Sequence, residues 1–279
     1  IILDLRNNGG GSLYDVVKMV GLFVDEGPVV QVKDRDGKPS VLRDRDKNVL
    51  YDGPLAVMVN EFSASASEIF AAAIQDYKRG LIIGSSSTYG KGTVQRNIGL
   101  DKNQGFMSAN SELGTIKLTL QKFYRISGGS TQLKGVTSDI VLPDFYEHYK
   151  IREKDDPDAL PWDEIQRADY NAWKNNIDFN SVRSASQARV GLNPAFNLIK
   201  TNTEWLAKEN DKTFSLNLEK FREEKKKVSA TNKQLETLNK LPKELSVTAL
   251  TGDDTKYAND KDKDDRFKAW LKSLRNDLY

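Results

Sequence analysis

Apolar residues in the first half of the chain fall into short runs separated by small or polar residues. Seven of these runs read as strands: 1–5, 29–34, 55–60, 81–83, 94–98, 115–124 and 136–141. Between them, Leu13, Val16, Val17, Val20 and Phe23 recur at helical spacing. A second helix is predicted over 67–77, rich in Ile69, Phe70, Ala71, Ala72, Ala73 and Ile74. Asp36-Gly37 and Gly128-Gly129 are hairpin signals. Strands alternating with helices predict an α/β layered domain. After residue 163 the pattern turns helical, with helices expected over 194–209, 216–241 and 261–278. Charged residues become denser beyond Pro143, and the polar stretch Glu153-Lys154-Asp155-Asp156-Pro157-Asp158 follows. The expected organisation is therefore a core over 1–143, a linker over 144–162 and an all-α region over 163–279.

Two of the strand-to-helix junctions carry unusual residues. The strand 55–60 runs into Phe62-Ser63-Ala64-Ser65-Ala66-Ser67-Glu68 and then into the helix. A hydroxyl at such a turn sits at a helix N-terminus, where free N–H groups and the dipole favour a developing negative charge. Those are the requirements of a serine nucleophile beside an oxyanion hole. Serine is also a preferred helix cap, so capping is an equally physical reading of this run alone. The first strand runs into Asn7-Asn8-Gly9-Gly10-Gly11-Ser12 before its own helix. Glycines there let backbone N–H groups approach a ligand closely. If both junctions belong to one sheet, two sets of donors meet at one carboxyl edge.

A third segment bears on the chemistry. Gly84-Ser85-Ser86-Ser87-Thr88-Tyr89-Gly90-Lys91-Gly92-Thr93 has the flavour of a phosphate-binding loop. That loop needs four residues between its glycines and a hydroxyl directly after the lysine. Here five intervene and Gly92 follows Lys91, which disfavours a nucleotide. The chain has no cysteine and one histidine, His148, in a charged aromatic segment without a motif. Ser-His-Asp, Cys-His and His-ligated zinc chemistry are thus poorly supported. A serine nucleophile here needs another base, and a desolvated lysine is the known substitute. Gln95, four residues beyond Lys91, could hold a neutral amine without adding charge.

The segments Asp-Leu-Arg-Asn-Asn-Gly-Gly-Gly, Ser-Ala-Ser-Ala-Ser-Glu and Tyr-Gly-Lys-Gly-Thr-Val-Gln, in this order, resemble the C-terminal processing (tail-specific) serine proteases. Lys134-Gly135-Val136-Thr137-Ser138-Asp139-Ile140 resembles the family's closing strand, and the second half resembles the helical region of its long members. The resemblance implies a ClpP/crotonase-like β-β-α core. It implies Ser65 as nucleophile, Lys91 as general base and Gln95 as the residue that orients the lysine. The N–H groups of Gly11 and Ala66 would form the oxyanion hole. Asp76 matches an acidic position associated with activity, and is read as a structural support. Two departures stand out: Gly9 stands where many members carry proline, and the Ser85-Ser86-Ser87 loop is one residue longer than usual.

A net charge of +2, with both signs interspersed, gives no footprint for nucleic acid. No stretch is long and apolar enough to span a membrane. The chain opens inside a strand without an initiator methionine, so an N-terminal part is expected upstream, and the resemblance implies that it includes a PDZ module. No cofactor and no metal is expected. The resemblance implies polypeptide substrates with apolar C-terminal tails, a periplasmic location and an adaptor lipoprotein as partner. The alternatives are a binding or scaffold protein built on a disabled protease core and, further off, a phosphate-loop nucleotide binder.

Overall fold

Val57 and Val59 are fully buried, which is why a run with almost no polar alternation forms a central strand. That strand, β4 (Ala56–Val59), lies between β1 (Ile2–Asp4) and β5 (Leu81–Gly84), and β8 (Ile140–Val141) follows β5. All three pairings are parallel, with Ile2 opposite Ala56, Ala56 opposite Leu81 and Ile83 opposite Ile140. The computed structural model describes residues 1–100, 114–174, 177–210, 212–253 and 255–279. A second, antiparallel sheet has the order β3-β2-β7-β6. Its strands are β2 (Gly27–Asp34), β3 (Pro39–Asp44), β6 (Thr93–Gly99) and β7 (Thr115–Tyr124).

Helix α1 (Leu13–Gly21) follows β1, and α2 (Ala66–Asp76) follows β4. Every residue of α2 from Ala66 to Ile74 is buried, as expected of a helix apolar on all sides. It packs against α1, β2 and β5, and its Phe70 makes an edge contact with Phe23 at 5.8 Å. The core closes around Val20, Val30, Val57, Ile74, Ile82, Phe123, Ile126 and Val136.

Two compact units divide the chain, Ile1–Leu192 and Asn193–Tyr279. The first runs on past Pro143. Trp162 Nε1 donates to the Ser130 carbonyl at 2.9 Å, Trp173 N donates to the Tyr77 carbonyl at 2.7 Å, and Ala168 is buried in the core. Residues beyond 143 are polar in sequence, yet these widely spaced side chains give them a packed seat. Helix α3 (Phe179–Leu192) buries no residue, and its Arg183 pairs with Asp139 at 3.1 Å.

The second unit is helical. It comprises α4 (Pro194–Asn210), α5 (Leu218–Glu236) and α6 (Lys261–Leu274). Phe196, Ile199, Leu206 and Leu235 form its buried side. Asn217 caps α5 by accepting from Glu219 N and Lys220 N. The α/β class and the helical C-terminal region match the expectation from sequence. Strand β3 was not expected, and helix α3 falls inside the region expected to be helical without being one of the helices picked out there.

Candidate active site

Strands β1 and β4 are parallel neighbours, so the turns that leave them emerge at the same edge of the sheet. Those turns are sewn together. Ser63 Oγ donates to the Leu5 carbonyl at 2.8 Å, and Ala64 N donates to the Asn8 carbonyl at 3.0 Å. Asn7 and Asn60 exchange two hydrogen bonds of 2.9 Å, one from backbone and one between side chains. Gly10 has φ of +106°, and a Cβ there would fall 2.7 Å from both the Ala64 carbonyl oxygen and Ser65 Cβ. Of the three consecutive glycines, Gly10 is the one that close approach requires. A Cβ at Gly9 or Gly11 would meet open space.

The three alternating serines have different employment. Ser63 is fully buried, bonded to Leu5 and accepting from Asn60 N at 2.9 Å. Ser67 Oγ donates to Asn8 at 3.0 Å. Ser65 is half-buried, lines a cavity and adopts φ of +57° with ψ of −114°. For a residue with a Cβ this conformation is strained, and it persists only where surrounding structure enforces it.

Glu68 is much of that enforcement. It is fully buried, and its carboxylate accepts four hydrogen bonds. Oε2 accepts from Ser65 N at 2.8 Å and Lys91 N at 3.0 Å, while Oε1 accepts from Gly90 N at 2.7 Å and Thr88 Oγ1 at 2.6 Å. Three of these donors are backbone N–H groups. The fourth, Thr88, already accepts from Val136 N at 2.7 Å, so its own proton goes to Glu68. Burial pushes the Glu68 carboxyl up to about 7, and the four donors pull the other way. Nothing in the sequence reading assigned Glu68 a role. Its signal was the Ser-x-x-Glu spacing from Ser65, the pattern of a reciprocal helix-capping pair.

Beyond that clasp lies the lysine loop. A Cβ at Gly92 would meet Ser130 Oγ at 2.6 Å and Gln132 N at 2.7 Å, so only glycine lets this loop lie so close to its neighbour. Lys91 Nζ donates to Gln95 Oε1 at 3.1 Å, and Gln95 Nε2 reaches Thr119 Oγ1 at 3.4 Å. Desolvation holds the Lys91 amine below the ordinary lysine value, and the neighbouring Lys117 charge adds to the effect.

One cavity of about 410 Å³ collects these groups. Ser65, Lys91, Gln95, Gly11 and Ala66 all line it, and Ala66 opens α2, where backbone N–H groups have no partner within the helix. Asp76 is not among the lining residues. Its carboxylate takes Arg125 at 2.6 and 3.1 Å and Ser127 Oγ at 3.2 Å, tying the end of α2 to the chain just past β7. A wider groove of about 1130 Å³, lined by Asp25, Arg43, Tyr170 and Trp173 among others, includes none of Ser65, Lys91, Gln95, Gly11 and Ala66.

Residues 1–142 match the family model for peptidase family S41. The chain belongs to peptidase family S41. Residues 146–279 match the model for the C-terminal domain of tail specific protease. Among curated relatives of this S41 chain, the tail-specific protease of Haemophilus influenzae is 42% identical over 255 residues, covering 90% of this chain and 36% of that protein. The carboxy-terminal-processing protease of Bartonella bacilliformis is 38% identical over 155 residues, covering 54% of this chain and 33% of that protein. A solved structure of a photosystem II D1 C-terminal processing protease aligns with a TM-score of 0.43 at 34% identity, over 50% of this chain and 34% of that one. The chain spans about a third of the length of these relatives.

Proposed function

We propose that this chain carries the catalytic centre of a serine endopeptidase that processes polypeptides from their C-terminal tails through a Ser65–Lys91 dyad. The observation that carries the reading is the convergence of a strained serine and a desolvated lysine on one cavity, with the Glu68 carboxylate bonded to the backbone of both.

In this reading the neutral Lys91 amine takes the proton of Ser65 Oγ as that oxygen attacks the scissile carbonyl carbon. Negative charge develops on the former carbonyl oxygen, and the N–H groups of Ala66 and Gly11 receive it. Collapse of the tetrahedral species breaks the C–N bond. The lysine ammonium gives its proton to the leaving amine and leaves an acyl ester on Ser65. Water, deprotonated by the same amine, then hydrolyses the ester. Gln95 holds the amine through a neutral acceptor, which orients it without raising its proton affinity as a carboxylate would.

Polypeptides with apolar tails, a place in the cell envelope and an adaptor lipoprotein belong to this proposal through the family resemblance alone. No helix among the described residues is long and apolar enough to cross a membrane.

The test is hydrolysis of an unfolded substrate with an apolar C-terminus by Ser65→Ala, Ser63→Ala and Ser67→Ala in the full-length protein. Ser65→Ala should lose activity by several orders of magnitude with the fold retained. The other two should keep measurable kcat. Substantial cleavage by folded Ser65→Ala would sink the assignment, and an inactive wild type would favour a scaffold role.

A further inference from the structure

Among the described residues, the cavity that holds Ser65 is lined by two charged side chains, and both are lysines. Lys91 and Lys117 face it together with Thr93, Gln95 and Asn97, and no carboxylate is among the described lining residues. Strand pairing explains why Lys117 is there. In the β6–β7 ladder Gln95 stands opposite Thr119 and Asn97 opposite Lys117. Residues directly opposite in an antiparallel pair share a face, and alternate residues along a strand return to it. Lys117 therefore lies one step beyond the Gln95–Thr119 contact that anchors Lys91, while the alternation puts Ile116 and Leu118 on the other face. Lys117 enters none of the ion pairs found among the described residues.

We propose that Lys117 is a positioning residue of the dyad, an ammonium in the same cavity that makes the Lys91 amine release its proton more readily. The inference rests on the dyad reading for its catalytic meaning, but the charge relationship can be measured without it.

Two like charges in one cleft oppose each other, and the more desolvated group is the one whose charged form suffers. Lys91 is that group, being half-buried where Lys117 is exposed. Among the described residues, the other charges acting on Lys91 are Glu68 on α2 and Glu153 beyond the core, and both favour its ammonium. Each is already engaged: Glu68 by its four donors, Glu153 by Gln132 Nε2 at 3.0 Å. Lys117 is the counterweight. A carboxylate at its place would attract the Lys91 charge and strengthen the amine's hold on its proton.

The experiment uses full-length protein in a Ser65→Ala background, labelled with trace acetic anhydride across a range of pH. Acetylation at Lys91, read by peptide mass spectrometry, gives the midpoint at which its amine becomes free. Lys117→Ala should move that midpoint up, Lys117→Glu should move it up by about one pH unit, and Lys117→Arg should leave it in place. With Ser65 intact, kcat/KM at neutral pH should fall about tenfold in Lys117→Glu, as one unit of displacement requires, and recover toward alkaline pH. A residue that merely braces the hairpin would lower activity at every pH and leave the labelling midpoint alone. An unmoved midpoint in folded Lys117→Glu overturns the inference and leaves the dyad standing. A raised midpoint together with an active Lys91→Ala would uphold the charge relationship and defeat the dyad instead.

Discussion

One oxygen of the Glu68 carboxylate accepts the backbone N–H of Lys91 at 3.0 Å, from a helix that begins 25 positions earlier. The same oxygen holds Ser65 N at 2.8 Å, so the distance between the two halves of the proposed dyad is set by a single buried side chain.

Glu68→Gln should therefore damage catalysis more than folding. The amide keeps one acceptor but turns an N–H₂ group toward backbone donors that need an acceptor. Each buried donor left unpaired costs about 1–3 kcal/mol, so urea denaturation should show a loss of about 2–4 kcal/mol. The displaced Ser65 and Lys91 should lower kcat by about a hundredfold, since ångström-scale misplacement has that effect. A variant that loses stability but keeps wild-type kcat would show that the clasp does not position the dyad.

Activity should rise with pH through a midpoint below the free lysine value of about 10.5. The sign follows from the chemistry, because a lowered lysine pKa enlarges the neutral fraction that can accept a proton at any pH beneath it. Lys91→Arg, which keeps charge and cannot supply a free amine, should be as inactive as Lys91→Ala. Initial rates on one peptide from pH 6 to 10 test both statements.

Glu61 lies in the turn just ahead of the serines, fully buried beside Asp144. Burial, and then the Asp144 charge, push its carboxyl up to about 7, and Asp144 is raised as well, first by its own burial. Between the ordinary carboxyl value of about 4.5 and 7, the folded chain holds a proton that the unfolded chain has released. Stability from this group is thus present below about 4.5 and is lost as pH climbs through 7. Urea midpoints of the wild type should fall from pH 5 to pH 8 more steeply than those of Glu61→Gln. Parallel slopes would refute the assignment.

Asp76→Ala should behave as a structural lesion. It removes both carboxylate contacts to Arg125, a side chain only 20% exposed, and leaves that cation without them. A loss of about 2–4 kcal/mol is expected, with kcat of the folded fraction within about tenfold of wild type. A fold of wild-type stability with activity abolished would place Asp76 in the chemistry.

The segments that bring Ser65, Lys91 and Gln95 to one cavity stand out in sequence as local signals, a small-residue turn after a buried strand and glycines flanking a lysine with an amide four residues on, while the choice of Ser65 among the serines came from the family resemblance. Glu68 was harder. Its four donors come from two segments more than twenty residues apart, the serine turn and the lysine loop, and only its spacing from Ser65 is visible in one dimension. Strand β3 was missed because Pro39-Ser40-Val41-Leu42-Arg43-Asp44 is mostly exposed and lacks a clean alternation, although Asp36-Gly37 marked its hairpin. Helix α3 buries nothing, so no apolar stripe announced it. The reach of the first compact unit to Leu192 depends on isolated side chains such as Trp162, Ala168 and Trp173, whose contacts lie far from them in sequence.

The parallel pairing of β1 with β4 divides the tolerance of this enzyme core to insertion and deletion. Helix α1 and the β2–β3 hairpin fall between those two strands in the chain, yet the hydrogen bonds that join the glycine turn to the serine turn depend on the register that sets Ile2 opposite Ala56. Residues gained or lost at the hairpin tip near Gly37 leave that register untouched. A single deletion within 1–5 would slide one turn past the other by about 3.3 Å, more than the length of any hydrogen bond that now joins them.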